Sequence, residues 1–268
     1  MSIRLSREQV QQFHEDGYVM VPDFFPASYM ELLIKIAKAD RELDQQAYNR
    51  RDAQGGVSRL RLRYDIEPDI YGAFASCERI VRNAELLMGK EVYHFHHKMM
   101  LKQPRVGGAW EWHQDYGYWY KDGCLFPDMI SVMIAVDRAS RKNGCLQVIR
   151  GSHKMGRIEH GITGDQTGAD LERVEAALKR MELVYCEMEP GTVLFFHSNL
   201  LHRSDQNKSD DPRWSLICCY NTKGNDSYKD DPHLQYKPLD VWPDERILDI
   251  GRKQWEQIQT QATAVGNK

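Results

Sequence analysis

The stretch Trp112–Trp119 reads WHQDYGYW and sets a histidine and an aspartate two residues apart, His113 and Asp115. On extended backbone, residues i and i+2 project to the same side. One imidazole nitrogen and one carboxylate oxygen would then converge on a common point. A second histidine at that point would complete a two-histidine, one-carboxylate facial set, which suits Fe(II) and leaves positions open for cosubstrate and O2. His202 is the expected third ligand, because it follows an apolar strand and sits on a turn, where a side chain can point into a barrel mouth. Arg213 comes eleven residues later and begins the next strand. A buried arginine there would form a bidentate pair with a carboxylate, as the distal end of 2-oxoglutarate requires. Ser204 could donate a second bond to that carboxylate.

Other histidines compete for the third position. His197 closes a strand and has no arginine at the matching interval. His94, His96 and His97 cluster on one extended run, where alternation puts His94 and His96 on one face and His97 on the other. A zinc site of His96, His113 and His202 is open on ligand types alone. Asp115 and Arg213 favour iron with an organic acid.

The elements that must position these groups change character along the chain. Ser6-Arg7-Glu8-Gln9 resembles a capping box with Gly17 as the helix terminator, and Tyr18–Pro22 reads as a short strand. Ser28–Glu31 reads as a second capping box, opening a helix toward Asp44 with Met30, Leu33, Ile36 and Ala37 buried. Residues 46–57 read as a flexible polar loop, a possible lid. Ser58–Tyr64 alternates strictly, with Arg59, Arg61 and Arg63 on one face. That face is either solvated surface or a clamp for an anion. Ile70–Met88 reads as helical.

After Gly89, Val92–Gln103 is a long extended run. Met129–Asp137, Cys145–Ile149, Leu183–Met188, Thr192–His197 and Trp214–Asn221 read as short strands, with turns at Asn143-Gly144 and Pro190-Gly191. Gly161–Gly168 reads as a loop and Ala169–Met181 as a charged helix inserted on the barrel. A last helix is expected around Asp244–Gln259. Many short strands after an α-rich start imply a mainly β, α+β fold: a jelly-roll, cupin-like core with flanking helices. A single domain is expected, with a helical part to about 90, a core from about 91 to 222 and a C-terminal extension.

Composition narrows the class. The chain has 268 residues, 41% of them hydrophobic, and a net charge of −3. That balance argues against nucleic acid or an anionic membrane as a partner. No apolar run approaches a membrane span, the N-terminus lacks a secretory apolar stretch, and AVGNK is not a peroxisomal signal. A cytoplasmic protein acting on a small molecule is expected; oligomeric state is not legible. The six cysteines show no C-x-x-C spacing and read as free buried thiols.

The order of motifs is more specific than any one of them. WHQD, then KNGCLQVIRGSHK (Lys142–Lys154), then LHRSDQNKSDDPRW (Leu201–Trp214) resemble the phytanoyl-CoA dioxygenase family of Fe(II)/2-oxoglutarate oxygenases. The opening EQVQQFHEDGYVMVPDFF is also similar, and the resemblance runs from about Leu5 to Tyr220. It implies a double-stranded β-helix with His113, Asp115 and His202 on Fe(II), and with Arg213 and Ser204 on 2-oxoglutarate. It adds Met99 and, more weakly, Gln114 as cosubstrate contacts. Met133 stands where phytanoyl-CoA hydroxylase has a tryptophan. The wider group includes halogenases that lack the iron carboxylate; with Asp115 intact, hydroxylation with succinate and CO2 as co-products is expected. Tyr116, Tyr118, Trp119 and Arg61 are the expected substrate contacts. The rival readings are a metal-binding cupin without oxygenase activity and a 2-oxoglutarate-binding sensor.

Overall fold

The structure is a computed structural model that describes residues 4–266. Helix α1 (Arg7–Asp16) opens with the expected capping box: Ser6 Oγ accepts from the Gln9 N–H at 3.2 Å and Gln9 Oε1 from the Ser6 N–H at 2.8 Å. Gly17, at φ +84°, closes the helix in the left-handed region that glycine tolerates, and strand β1 (Tyr18–Val21) follows at once. The second capping box does not form. Helix α2 (Ala27–Ala39) begins two residues earlier, after Pro26, with no side-chain cap. Proline supplies the entry angle here, because its fixed φ already suits a helix start. Asp40 then caps a separate helix α3 (Arg41–Gln46) through the Leu43 N–H.

The expected loop at 46–57 is mostly a hairpin of β2 (Tyr48–Arg51) and β3 (Val57–Arg63). Its turn is pinned. Asp52 is buried and its carboxylate accepts from the N–H groups of Gln54, Gly56 and Ala109 and from the Gln206 amide. A buried acid with this many donors is spent on holding the turn, so the segment is tied down on three sides.

Helices α4 (Ile70–Ser76) and α5 (Glu78–Met88) break at Cys77, where the expected single helix becomes two. Strand β4 (Val92–Lys102) runs through the middle of the molecule. After it come β5 (Trp110–His113), the short helix α6 (Asp115–Trp119), β6 (Met129–Ala135) and β7 (Leu146–Ile149). The expected loop at 161–168 is a second hairpin, β8 (His160–Thr163) with β9 (Gln166–Ala169), followed by helix α7 (Leu171–Leu178). Strands β10 (Leu183–Cys186), β11 (Val193–His197), β12 (His202–Ser204) and β13 (Arg213–Thr222) complete the core, and α8 (Arg246–Gly266) packs on α2 and α4. Among the described residues, no helix is long and apolar enough to cross a membrane.

Seven strands form one sheet in the order β1-β11-β6-β13-β4-β3-β2, and four form a second, β10-β7-β12-β5, all antiparallel. Two sheets face to face over a shared core make the double-stranded β-helix. The expected helical part up to about residue 90 is therefore not separate: it contributes three strands to the larger sheet.

Alternation sorts the side chains of the larger sheet. Outward residues such as Met99, Leu101, Val132, Ile134, Leu216 and Cys218 pack against the helices. Inward residues such as Met100, Met133, Phe196 and Ile217 meet Leu146 and Val148 from the smaller sheet. All six cysteines are free and buried, as expected.

Register also settles the three arginines. Arg59, Arg61 and Arg63 pair with Leu101, Met99 and His97, the outward positions of β4, while Leu60 and Leu62 face inward. Arg59 meets Asp44 at 2.7 Å, and buried Arg63 pairs with Asp69 and with Glu67. Arg61 is thus on the helix side and does not reach the barrel interior, which removes it as a substrate contact. Arg63→Ala strands the half-buried Asp69 and should cost about 3 kcal/mol or more in chemical denaturation, with 2-oxoglutarate affinity unchanged. A large loss of that affinity at unaltered stability would restore the clamp.

Candidate active site

Strand pairing sets the two histidines opposite one another. In the smaller sheet His202 of β12 is the direct partner of His113 of β5, and their rings lie 4.0 Å apart between centroids. Each ring is locked by its own backbone. His113 Nδ1 contacts the Glu111 carbonyl at 2.7 Å and His202 Nδ1 the Leu200 carbonyl at 2.9 Å. A carbonyl only accepts, so Nδ1 carries the proton in both rings and Nε2 keeps its lone pair.

Both Nε2 atoms point at one oxygen. Asp115 Oδ1 is 3.7 Å from His113 Nε2 and 3.8 Å from His202 Nε2. The other carboxylate oxygen accepts from Ser131 Oγ at 2.6 Å, which fixes its rotation. Strand β5 ends at His113, Gln114 is still extended, and Asp115 opens α6, so the H-x-D pair converges across a strand-to-helix junction. Among the described residues these three form the one cluster of His, Cys, Asp and Glu with metal-ligand spacing, and all three are buried. His96 is outside it, which closes the zinc alternative that used that residue.

Burial pushes the His202 imidazole down to about 3, with His113 adding to the effect, so the ring is neutral near pH 7. Burial opposes ionisation of Asp115, but positive charge facing it, the Lys98 ammonium included, holds its carboxyl well below the usual range. A neutral His202 with a free lone pair beside an ionised carboxylate is the protonation state a divalent cation needs.

The cavity behind this cluster is lined by Lys98, Met100, Trp110, Met133, Leu146, Phe196, Ser204, Arg213 and Ile217. Arg213 is 3% exposed, and its Nε has no hydrogen-bond partner. Its Nη2 lies 3.4 Å from Ser204 Oγ. Burial lowers its pKa to about 10, which leaves it cationic at neutral pH. Lys102, paired with Arg213 across β4 and β13, donates to the same Ser204 Oγ at 2.9 Å and to the Asp205 carbonyl. Burial, with Arg213 alongside, pushes the Lys102 ammonium well below the ordinary lysine range. Two buried basic groups and a hydroxyl with spare bonding capacity fit an acid group arriving from outside the chain.

Several expected contacts fall elsewhere. Met99 faces outward into the helix-side core, and Met100 occupies the cavity. Gln114 points away from the metal cluster. Its amide donates to the carbonyls of Gly156 and Asn199 and accepts from the Ile158 N–H, so it is fully engaged and clamps three segments. Tyr116 is buried and donates to the Cys124 carbonyl. Tyr118 stands edge-on to His113 at 5.6 Å and donates to the Thr167 carbonyl of the β8–β9 hairpin, beside the site. Trp119 packs against Phe95 and His96. Sequence reading missed Lys98, Met100 and Lys102. The signal was present, since Lys98 and Lys102 lie four apart on one strand, so both charges share one face.

A double-stranded β-helix that gathers two histidines and an aspartate beside a buried basic pocket defines a non-haem iron oxygenase. The chain belongs to the phytanoyl-CoA dioxygenase family, whose model matches residues 13–215. It is an Fe(II)- and 2-oxoglutarate-dependent dioxygenase. L-proline trans-4-hydroxylase of Streptomyces griseoviridis is 31% identical over 171 residues, 56% of this chain and 64% of that enzyme. The match thus takes in just under two thirds of that hydroxylase. Ectoine dioxygenase of Sphingopyxis alaskensis is 26% identical over 243 residues, 82% of this chain and 77% of the other. The crystal structure of EctD from S. alaskensis with bound Fe superposes with a TM-score of 0.73 at 25% identity, over 89% of this chain and 88% of that one.

The two faces of β4 are separable by mutation. Met99→Ala should lower stability by about 2–5 kcal/mol and leave 2-oxoglutarate affinity unchanged, while Met100→Ala should shift that affinity. The opposite pattern, from denaturation and binding titrations, would return Met99 to the cavity.

Proposed function

We propose that His113, Asp115 and His202 hold the iron, that Arg213 and Ser204, joined by Lys102, take the distal carboxylate of 2-oxoglutarate, and that the chain hydroxylates a small polar molecule. One observation carries this reading: both Nε2 lone pairs and a carboxylate oxygen aim at one point, in the same cavity as an arginine whose Nε has no partner. A metal-binding cupin has no use for that arginine. Bound there, iron and 2-oxoglutarate with O2 supply the oxidation of a C–H bond, with succinate and CO2 as co-products.

The chain's own residues do the positioning. The Glu111 and Leu200 carbonyls hold the two rings in the ligating tautomer. Ser131 fixes the Asp115 rotamer, and Asp115 fills the position that a halogenase would leave to halide, which favours hydroxylation. Phe196, Met133, Leu146 and Ile217 keep the cavity apolar and exclude water from the reacting centre. A small polar substrate is in keeping with relatives named for L-proline and ectoine.

Asp115→Ala should abolish succinate formation from 2-oxoglutarate. Arg213→Ala should keep bound iron while weakening 2-oxoglutarate by about thirtyfold or more, the consequence of removing one partner of a buried charge pair. Turnover surviving the first change, or unaltered affinity after the second, would refute the assignment.

A further inference from the structure

Strand β4 carries a second basic position that the cosubstrate does not use. Its register with β13 slips between Cys219 and Tyr220: His96 pairs with Cys219 and His94 with Tyr220, which leaves Phe95 as the extra residue of a bulge. A bulge breaks the two-residue alternation and re-aims the side chains around it. His94 and His97 consequently share the outer face, 2.9 Å apart, and His96 turns inward against Phe95 and Trp119. The expected pairing of His94 with His96 on one face is thereby overturned. From the bulge onward the inward residues are His96, Lys98, Met100 and Lys102.

Lys98 lines the metal cavity between Leu62 of β3 and Ile217 of β13, its apolar neighbours across the sheet. Its charge bears on Asp115, His202 and His96. Among the described residues it has no hydrogen-bond or ion-pair partner. Asp115 does not serve as one: its Oδ2 is taken by Ser131, and its Oδ1 faces the two imidazoles. Beside Lys98 on the same face, His96 is 7% exposed, and its Nδ1 is buried with no partner. Register places His96 level with Cys219 and Ser131, the residue that holds Asp115, so the pair borders the metal cluster.

We propose that Lys98 and His96 form an anion subsite that holds the carboxylate of the substrate, making this an enzyme for small carboxylic acids. The inference rests on the reading above, in which 2-oxoglutarate spends one carboxylate on the metal and the other on Arg213, Ser204 and Lys102. Lys102 is four residues along β4, about 13 Å away at the usual strand rise, so one carboxylate cannot answer both lysines. The Lys98 ammonium would supply the charge and a neutral His96 one N–H donor, two bonds to the two oxygens of one acid group. Phe95 and Trp119 wall the subsite, so the rest of the acid is small and partly apolar.

The test uses the anaerobic Fe(II)/2-oxoglutarate protein and follows perturbation of its visible charge-transfer band. The probes are L-proline, ectoine and other small carboxylic acids, each paired with its primary amide. At least one acid should perturb the band at concentrations about tenfold or more below its amide, the size of a charge-assisted bond. Lys98→Met should erase that preference and leave the 2-oxoglutarate dissociation constant unchanged; Lys98→Arg should keep both. The proposal fails if Lys98→Met retains the preference, if it weakens 2-oxoglutarate instead, or if no acid outperforms its amide on a native protein that shows the band. A native protein without the band refutes the cosubstrate reading itself, a separate outcome.

Discussion

The direct pairing of His202 with His113 across two short strands is the constraint on which the rest of the site depends. Strands β5 and β12 are four and three residues long, so few backbone bonds fix their register. The hold comes from both sides. Strand β7 pairs with β12 along its far edge, with Val148 opposite His202. Gln114 ties the end of β5 to the Gly156, Ile158 and Asn199 segments. A slip of one residue would turn one imidazole out of the cavity, because side-chain direction alternates with period two. The buried amide of Gln114 therefore matters to the metal cluster without facing it.

Parity has equal weight in the larger sheet. One face of β4, β13 and β6 builds the helix-packed core, and the other builds the cavity. Arg213 and Lys102 are buried at inward positions, and half-buried Lys98 shares their face. Two of the three arginines on the outer face of β3 find acids on the helix side, Asp44 for Arg59 and Asp69 for Arg63, while the buried Nε of Arg61 has no partner.

Much of this was legible in the sequence. The H-x-D spacing, the histidine after an apolar strand and the arginine opening the next strand are local features, and the structure brings all of them to one cavity, with His202 opening strand β12 where a turn was expected. The jelly-roll class followed from short alternating runs after an α-rich start. What failed was long-range. Whether Met99 or Met100 faces inward depends on the register of β4 with β13, and the bulge at Phe95 changes that parity where no glycine or proline announces it. Arg61 was misplaced for the same reason: strict alternation shows that three arginines share a face, but only pairing says which face. The β8–β9 hairpin escaped because Gly161, Gly164 and Gly168 signal a loop, while β9 packs against β5 and α6, which come from elsewhere in the chain.

The central claim is that two imidazoles and a carboxylate share one iron with 2-oxoglutarate. Anaerobic titration of the Fe(II)-loaded protein with 2-oxoglutarate tests it most directly. The weak visible charge-transfer band of the chelate should rise to saturation in the native protein and be lost in His202→Ala. A folded, iron-loaded native protein that shows no band, or a His202→Ala protein that shows it undiminished, would contradict the account.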